Sequence, residues 1–274
     1  MHRNKFLLAF ATATLMSAAT PAAAQIQIQT LNNVVGTANG TVFPSTTATG
    51  APLLTAFRYF FIDSDHHIRK IAAVPLPQQS AVEVAFADEN GDDRYSYGVA
   101  HQWVDPTGIT QHSLHGGCAG RCSVQLFTRP PGNFEFVLTG FRVTFENGDH
   151  HLDELGITES GGVLTTVYKD ENGDDPFTYD VGYAWVPTTR LAAVDEVGGL
   201  VHAKGSVVRD AIQGDKVIRG FFVDNSATGG QGKDNHIRDL GVSTGQFNIF
   251  VNYGDDNPAD SADWRYRVKY AVLR

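Results

Sequence analysis

Three copies of one pattern run through this chain, and no other feature limits its fold as much. Asp65-His66-His67-Ile68 returns as Asp149-His150-His151-Leu152, 84 positions on, and again as Asp234-Asn235-His236-Ile237 after a further 85. A second landmark keeps step with the first. Asp88-Glu89-Asn90-Gly91-Asp92-Asp93 recurs unchanged as Asp170-Glu171-Asn172-Gly173-Asp174-Asp175, 82 positions later, and survives in the third copy as the longer Gly254-Asp255-Asp256-Asn257-Pro258-Ala259-Asp260. A closing motif follows each: Tyr95-x-Tyr97-x-Val99 leads to Trp103-Val104, Phe177-x-Tyr179-x-Val181 to Trp185-Val186, and Trp264-x-Tyr266-x-Val268 to Val272-Leu273. Solenoid units run to about 20–50 residues and cannot stand alone; a period near 84 is closer to a small domain. The joints at Val104-Asp105-Pro106-Thr107-Gly108 and Val186-Pro187-Thr188-Thr189 are too short for loose linkers. The expected organisation is a leader over 1–24 and repeats over 25–107, 108–190 and 191–274, packed in a pseudo-threefold relation.

The leader reads as a secretory signal peptide. Arg3 and Lys5 open it, Phe6 to Ala19 is apolar apart from Thr12, Thr14 and Ser17, and Ala22-Ala23-Ala24 offers small residues before a cut ahead of Gln25. A secreted or periplasmic location follows. Loss of Arg3 and Lys5 takes the formal charge from −9 to −11. That acidity argues against nucleic acid or an anionic membrane surface as partner. Beyond the leader no apolar run approaches the roughly 18 residues of a membrane-spanning helix. The oligomeric state has no signature in the sequence.

Within each copy the periodicity is that of strands. Phe57–Ile62, Gly140–Phe145 and Gly220–Val223 read as one strand with a buried face. The apolar sets Ile68/Ile71/Val74, Leu152/Leu155/Ile157 and Ile237/Leu240/Val242 break the period of two at their start, which predicts a strand begun by a bulge. Val82–Phe86, Val163–Tyr168 and Phe247–Val251 form the next strand, and Asn-Gly in the acidic landmark is a hairpin signal before the closing strand. A further strand, such as Ser123–Phe127, precedes this set. No window holds helical periodicity. The expected fold is all-β: three tandem antiparallel β-sandwich repeats.

Four features carry candidate chemistry. The Asp-His landmark can cap backbone groups at a strand corner, or bind a ligand, with Asp65, His67, Asp149, His151, Asp234 and His236 as its residues. Adjacent histidines on a strand point to opposite faces, so one of each pair should face inward. The acidic landmark is either a solvated turn or a calcium site using Asp88, Asn90, Asp92, Asp170, Asn172 and Asp174. Its glycine falls at the fourth position and no glutamate closes it, so it is not an EF-hand. Cys118 and Cys122 suit a local disulfide in an exported chain; the rival is a soft-metal site with His112 and His115. Tyr97, Tyr179, Tyr266, Trp103 and Trp185 share one parity and read as core, the alternative being an exposed platform for sugar rings.

The spacing Gly140-Phe141…Asp149…Leu152…Gly162-Val163…Phe177-x-Tyr179…Trp185-Val186 resembles the H-type lectin domain. That resemblance implies a compact antiparallel sandwich and binding of galactose-type sugars by a trimer, here within one chain. It covers the last 50 or so residues of each copy, and no binding residue is carried over from it. No nucleophile elbow, zinc-protease helix or phosphate loop is present. The expected function is a non-catalytic, multivalent, lectin-like binding protein with a glycan or cell-surface partner. The alternatives are a calcium-rigidified structural or matrix protein, and a metal-dependent enzyme using the histidine clusters.

Overall fold

The computed structural model describes residues 40–62, 67–88, 94–145, 151–170, 176–202, 205–225, 237–255 and 263–274, and the backbone alone at 25–34, Asp170 and Asp255. The first third of the chain forms β1 (Gln25–Val34), β2 (Thr41–Val42), β3 (Ala51–Phe61), β4 (Ile68–Leu76), β5 (Ala81–Asp88) and β6 (Tyr95–Val104). The second forms β7 (Thr110–Ala119), β8 (Arg121–Gln125), β9 (Phe134–Phe145), β10 (Leu152–Ser160), β11 (Val163–Asp170) and β12 (Pro176–Pro187). The third forms β13 (Leu191–Val201), β14 (Gly205–Asp210), β15 (Lys216–Asp224), β16 (Ile237–Thr244), β17 (Asn248–Asp255) and β18 (Trp264–Leu273). Among the described residues no helix is long and apolar enough to cross a membrane.

The strands make three six-stranded antiparallel sheets: β1-β6-β3-β16-β17-β14 (sheet A), β2-β5-β4-β9-β12-β7 (sheet B) and β13-β18-β15-β10-β11-β8 (sheet C). The fold is therefore all-β, as the strand periodicity indicates, but no third keeps a sandwich to itself. Each gives three strands to one sheet and three to the next. β3 lies in sheet A and β4 in sheet B; β9 lies in B and β10 in C; β15 lies in C and β16 in A. Unpaired strand edges are a liability. Joining half-sheets from two thirds leaves six edge strands, where six separate half-sheets would leave twelve.

The bulges expected at the start of the second strand are present, as register shifts at Ile68/Lys70, Leu152/Glu154 and Ile237/Asp239. A second set was not visible in the periodicity. Pairing skips Thr55 on β3, Thr139 on β9 and Arg219 on β15. Two residues after each skip stands a phenylalanine with no exposed surface: Phe57, Phe141 and Phe221. β3, β9 and β15 pack against one another. The three rings meet with centroids 5.0 Å (Phe57–Phe141), 4.7 Å (Phe57–Phe221) and 5.2 Å (Phe141–Phe221) apart. Truncating such a buried ring costs about 3–5 kcal/mol. Tyr97, Tyr179, Tyr266, Trp103 and Trp185 are all 5% exposed or less, so they serve the core and no sugar platform is available from them.

The bulge at Thr139 also ties two sheets together. Its carbonyl accepts a 2.9 Å hydrogen bond from His101 Nε2 on β6, which places the proton of the neutral ring on that nitrogen. His101 is 2% exposed. Burial disfavours its charged form and, against the opposing pull of the Thr139 bond, lowers its pKa from 6.5 to about 4. The unfolded chain then binds the proton more tightly than the folded one, so stability is intact above pH 6.5 and lost as pH falls toward 4. The full loss is about 3 kcal/mol. Urea midpoints measured from pH 7 to pH 4.5 should fall steeply for the wild type and less for His101→Gln, which retains a donor and cannot titrate in this range.

Candidate functional site

The strand registers bring both landmarks to one end of the molecule. Phe61 pairs with Tyr95, Ile68 with Asp88, Phe145 with Phe177, Leu152 with Asp170, Asp224 with Arg265, and Ile237 with Asp255. The sheets lock these ends level with one another, through Phe60–Asp239, Lys70–Thr144 and Glu154–Asp224. All six chain connections that carry an Asp-His or acidic landmark therefore leave from the same end.

At that end His67 and His151, the last histidines of the two Asp-His-His landmarks, meet with ring centroids 4.8 Å apart in an edge-to-face contact. His67 is partly exposed and His151, just before β10, is 8% exposed. Imidazoles in edge contact at this distance offer donors and acceptors on neighbouring rings. Asp65, Asp149, Asp234 and His236 lie outside the described residues. Of the proposed calcium ligands, Asn90, Asp92, Asn172 and Asp174 lie outside them as well, and Asp170 is described by its backbone only. Asp88 closes β5 with 3% exposure, its carboxylate turned in from solvent. Among the described residues no group of three or more His, Cys, Asp or Glu is arranged to hold a metal ion.

Cys118 and Cys122 form a disulfide across a Cα separation of 6.0 Å. The chain reverses between them at Gly120, whose φ of +66° is open to glycine at little cost. The rival metal reading of this segment fails on geometry. The sulfurs are bonded to each other, His112 stacks on Tyr183 with centroids 5.4 Å apart, and His115 Nδ1 lies 2.8 Å from Asp180. Cys118 belongs to sheet B and Cys122 to sheet C, and their strands pair with Phe177 and Thr166. The bond thus ties two sheet edges together at the landmark end.

Two arrangements had no counterpart in the sequence reading. His202 and Asp263 pair at 2.9 Å at the same end, because β13 and β18 place Val201 opposite Trp264. On the outer face of sheet B a chain of charges crosses five strands, from His115 through Asp180, Arg142 and Glu83 to Lys70. Burial pushes the Glu83 carboxyl up; hydrogen bonds from Arg142 and Lys70 outweigh it and hold the group below its ordinary range. Neither arrangement has a local motif, since cross-strand register alone creates the pairs.

No family model matches the chain, and no curated protein matches it. Two solved structures align along most of its length. One is from the Sulfolobus Turreted Icosahedral Virus, 9% identical over 84% of this chain and 82% of the viral one, with a TM-score of 0.17. The other is described by the triple jelly roll fold and turret assembly of an archaeal virus, 8% identical over 92% and 89%, also at 0.17. Overlap that poor carries no argument about this chain.

The disulfide closes a loop with a sequence separation of 4, for which chain entropy assigns on the order of 2 kcal/mol. Cys118→Ser/Cys122→Ser should lower the unfolding free energy measured in urea by that amount, seen as a lower midpoint at an unchanged slope, and dithiothreitol should lower the wild type to the same level.

Proposed function

We propose that this is an exported, non-catalytic binding protein made of three copies of one module in a pseudo-threefold arrangement. Its ligand is a glycan or other cell-surface group, met at the landmark end by Asp65, His67, Asp149, His151, Asp234 and His236. The observation that carries this reading is the His67–His151 contact: residues 84 positions apart, equivalent in the repeat, share one place in space. The strand order supports the triplication. Each sheet takes the first, sixth and third strands of one repeat and adds the fourth, fifth and second of another.

The arrangement favours one composite surface over three distant sites. Separated patches gain by effective concentration, whereas landmarks gathered at one end act on one ligand from several sides. A neutral imidazole supplies one donor and one acceptor, and a carboxylate supplies acceptors. Together they suit hydroxyl groups, which do both. Transfer of a group would need a positioned nucleophile or a proton acceptor aimed at one bond, and repetition of a landmark does not provide it.

A glycan array probed with the wild type and with His67→Ala/His151→Ala/His236→Ala tests the reading. The wild type should bind a defined set of glycans, and the triple variant should lose signals of that set at least tenfold while melting at a similar temperature. A wild type that binds nothing, or a variant with an identical pattern, removes the proposal.

A further inference from the structure

The outer faces of the three sheets differ most at one row of the closing strand. In sheet B that row on β12 is Thr178, Asp180 and Gly182, and in sheet C on β18 it is Arg265, Arg267 and Lys269. In sheet A the same row on β6 is Ser96, Gly98 and Ala100. The middle members occupy one place in the ladder: Asp180 pairs with Arg142, Arg267 with Phe222, and Gly98 with Arg58. Where two sheets project charged side chains, the third projects nothing. A Cβ built on Gly98 would meet no atom of the described residues within 4 Å.

The space left is a groove of about 1030 Å³. Gly98, Ala56 and Ala100 form its floor, Phe60 and Phe250 border it, and the turns at 214–216 and 244–246 close one end. Its charges are already matched. Arg58 donates two hydrogen bonds, of 3.0 and 2.6 Å, to the Asp239 carboxylate. Lys216 is 2% exposed and spends its ammonium on the carbonyls of Gly214, Gly245 and Gln246 at 3.1, 2.8 and 2.7 Å, with Asp215 beside it in the chain. What remains is neutral and polar: the hydroxyls of Ser96 and Ser243, and Gln102. Gln102 is 1% exposed, and neither its amide nitrogen nor its amide oxygen has a hydrogen-bond partner among the described residues. A buried amide left so costs about 1–3 kcal/mol per unmade bond, a burden that an apolar residue at this position would not carry.

We infer that the sheet A groove is a second binding site, separate from the landmark end, for a neutral oligosaccharide. Matched charges disfavour an ionic ligand. Hydroxyls and a primary amide answer sugar hydroxyls, and the exposed Phe250 ring offers a face to the apolar side of a pyranose. Small-ligand clefts hold about 300–1,000 Å³, so a groove at the top of that range accommodates several sugar rings in a row. The equivalent places differ in the other two sheets: Asp180 is ion-paired with Arg142 on sheet B, and the hollow on sheet C is smaller, about 550 Å³, and lined by Arg265 and Arg267, so the larger neutral groove belongs to sheet A.

Titration calorimetry of the purified protein with cellohexaose, maltohexaose and mannohexaose tests this directly. At least one should bind the wild type with a dissociation constant in the millimolar range or below. Gly98→Arg refills the hollow as Arg267 does in sheet C, from a backbone position that tolerates a side chain, and should weaken that binding at least tenfold. Gln102→Leu should weaken it as well while leaving the melting temperature equal or higher, which separates recognition from folding. The His67→Ala/His151→Ala/His236→Ala variant should bind the hexasaccharide as the wild type does, so failure at the landmark end and failure here are read independently. No binding of any of the three sugars, or Gly98→Arg binding as tightly as the wild type, overturns the inference.

Discussion

Everything in this molecule hangs on three strands that must each bury one phenylalanine against the other two sheets. Phe57, Phe141 and Phe221 are fully buried and in mutual contact, on β3, β9 and β15, the third strand from an edge in sheets A, B and C respectively. A single sheet cannot enclose such a ring, because its second face would stay wet. Three sheets facing a common line can do so, since each covers the others. The bulges at Thr55, Thr139 and Arg219 adjust strand direction where the three strands converge. One of the carbonyls this frees is taken up by the buried, neutral His101 of the adjoining sheet.

That packing also decides where function can reside. Because the strand that follows each central strand belongs to the next sheet, the chain crosses between sheets beside β3, β9 and β15, always at the same end. The acidic landmark does not close the hairpin that its Asn-Gly suggests: β5 and β6, β11 and β12, and β17 and β18 lie in different sheets, so these connections are crossings too, level with the others, because the closing strand pairs beside the central strand of the other sheet. Two consequences follow for the surface. One end collects the repeated landmarks, with His67 against His151 and the Cys118–Cys122 bond tying sheets B and C nearby. The flanks stay free of repeated loops and have diverged: a ladder of ion pairs on B, an arginine- and lysine-bearing row on C, a neutral hollow on A.

Much of the architecture could be read from the residues alone. Alternation located most of the central strands, and the broken period at Ile68, Leu152 and Ile237 located their bulges, because both are local consequences of which side chains face the core. The disulfide was legible for the same reason, as a short span closed through glycine. The bulges at Thr55, Thr139 and Arg219 were not, since apolar residues on both sides of them are buried and a single polar residue between them reads as an ordinary outward position of an unbroken strand. The candidate sites were legible as recurring motifs, but their meeting place was not. Nothing near His67 announces His151.

The sequence by itself determined that the chain is all-β, that its landmarks recur along the chain, and that Cys118 and Cys122 could close on each other, because these follow from side-chain parity, from comparison of segments and from reach along the chain. Only the tertiary structure decided that each third of the chain divides its strands between two sheets. Strand pairing joins backbones that carry the same donors and acceptors everywhere, so a half-sheet accepts its own or a neighbour's strand with equal hydrogen bonding. The choice falls to the core, where Phe57, Phe141 and Phe221 are buried together when the thirds of the chain share sheets.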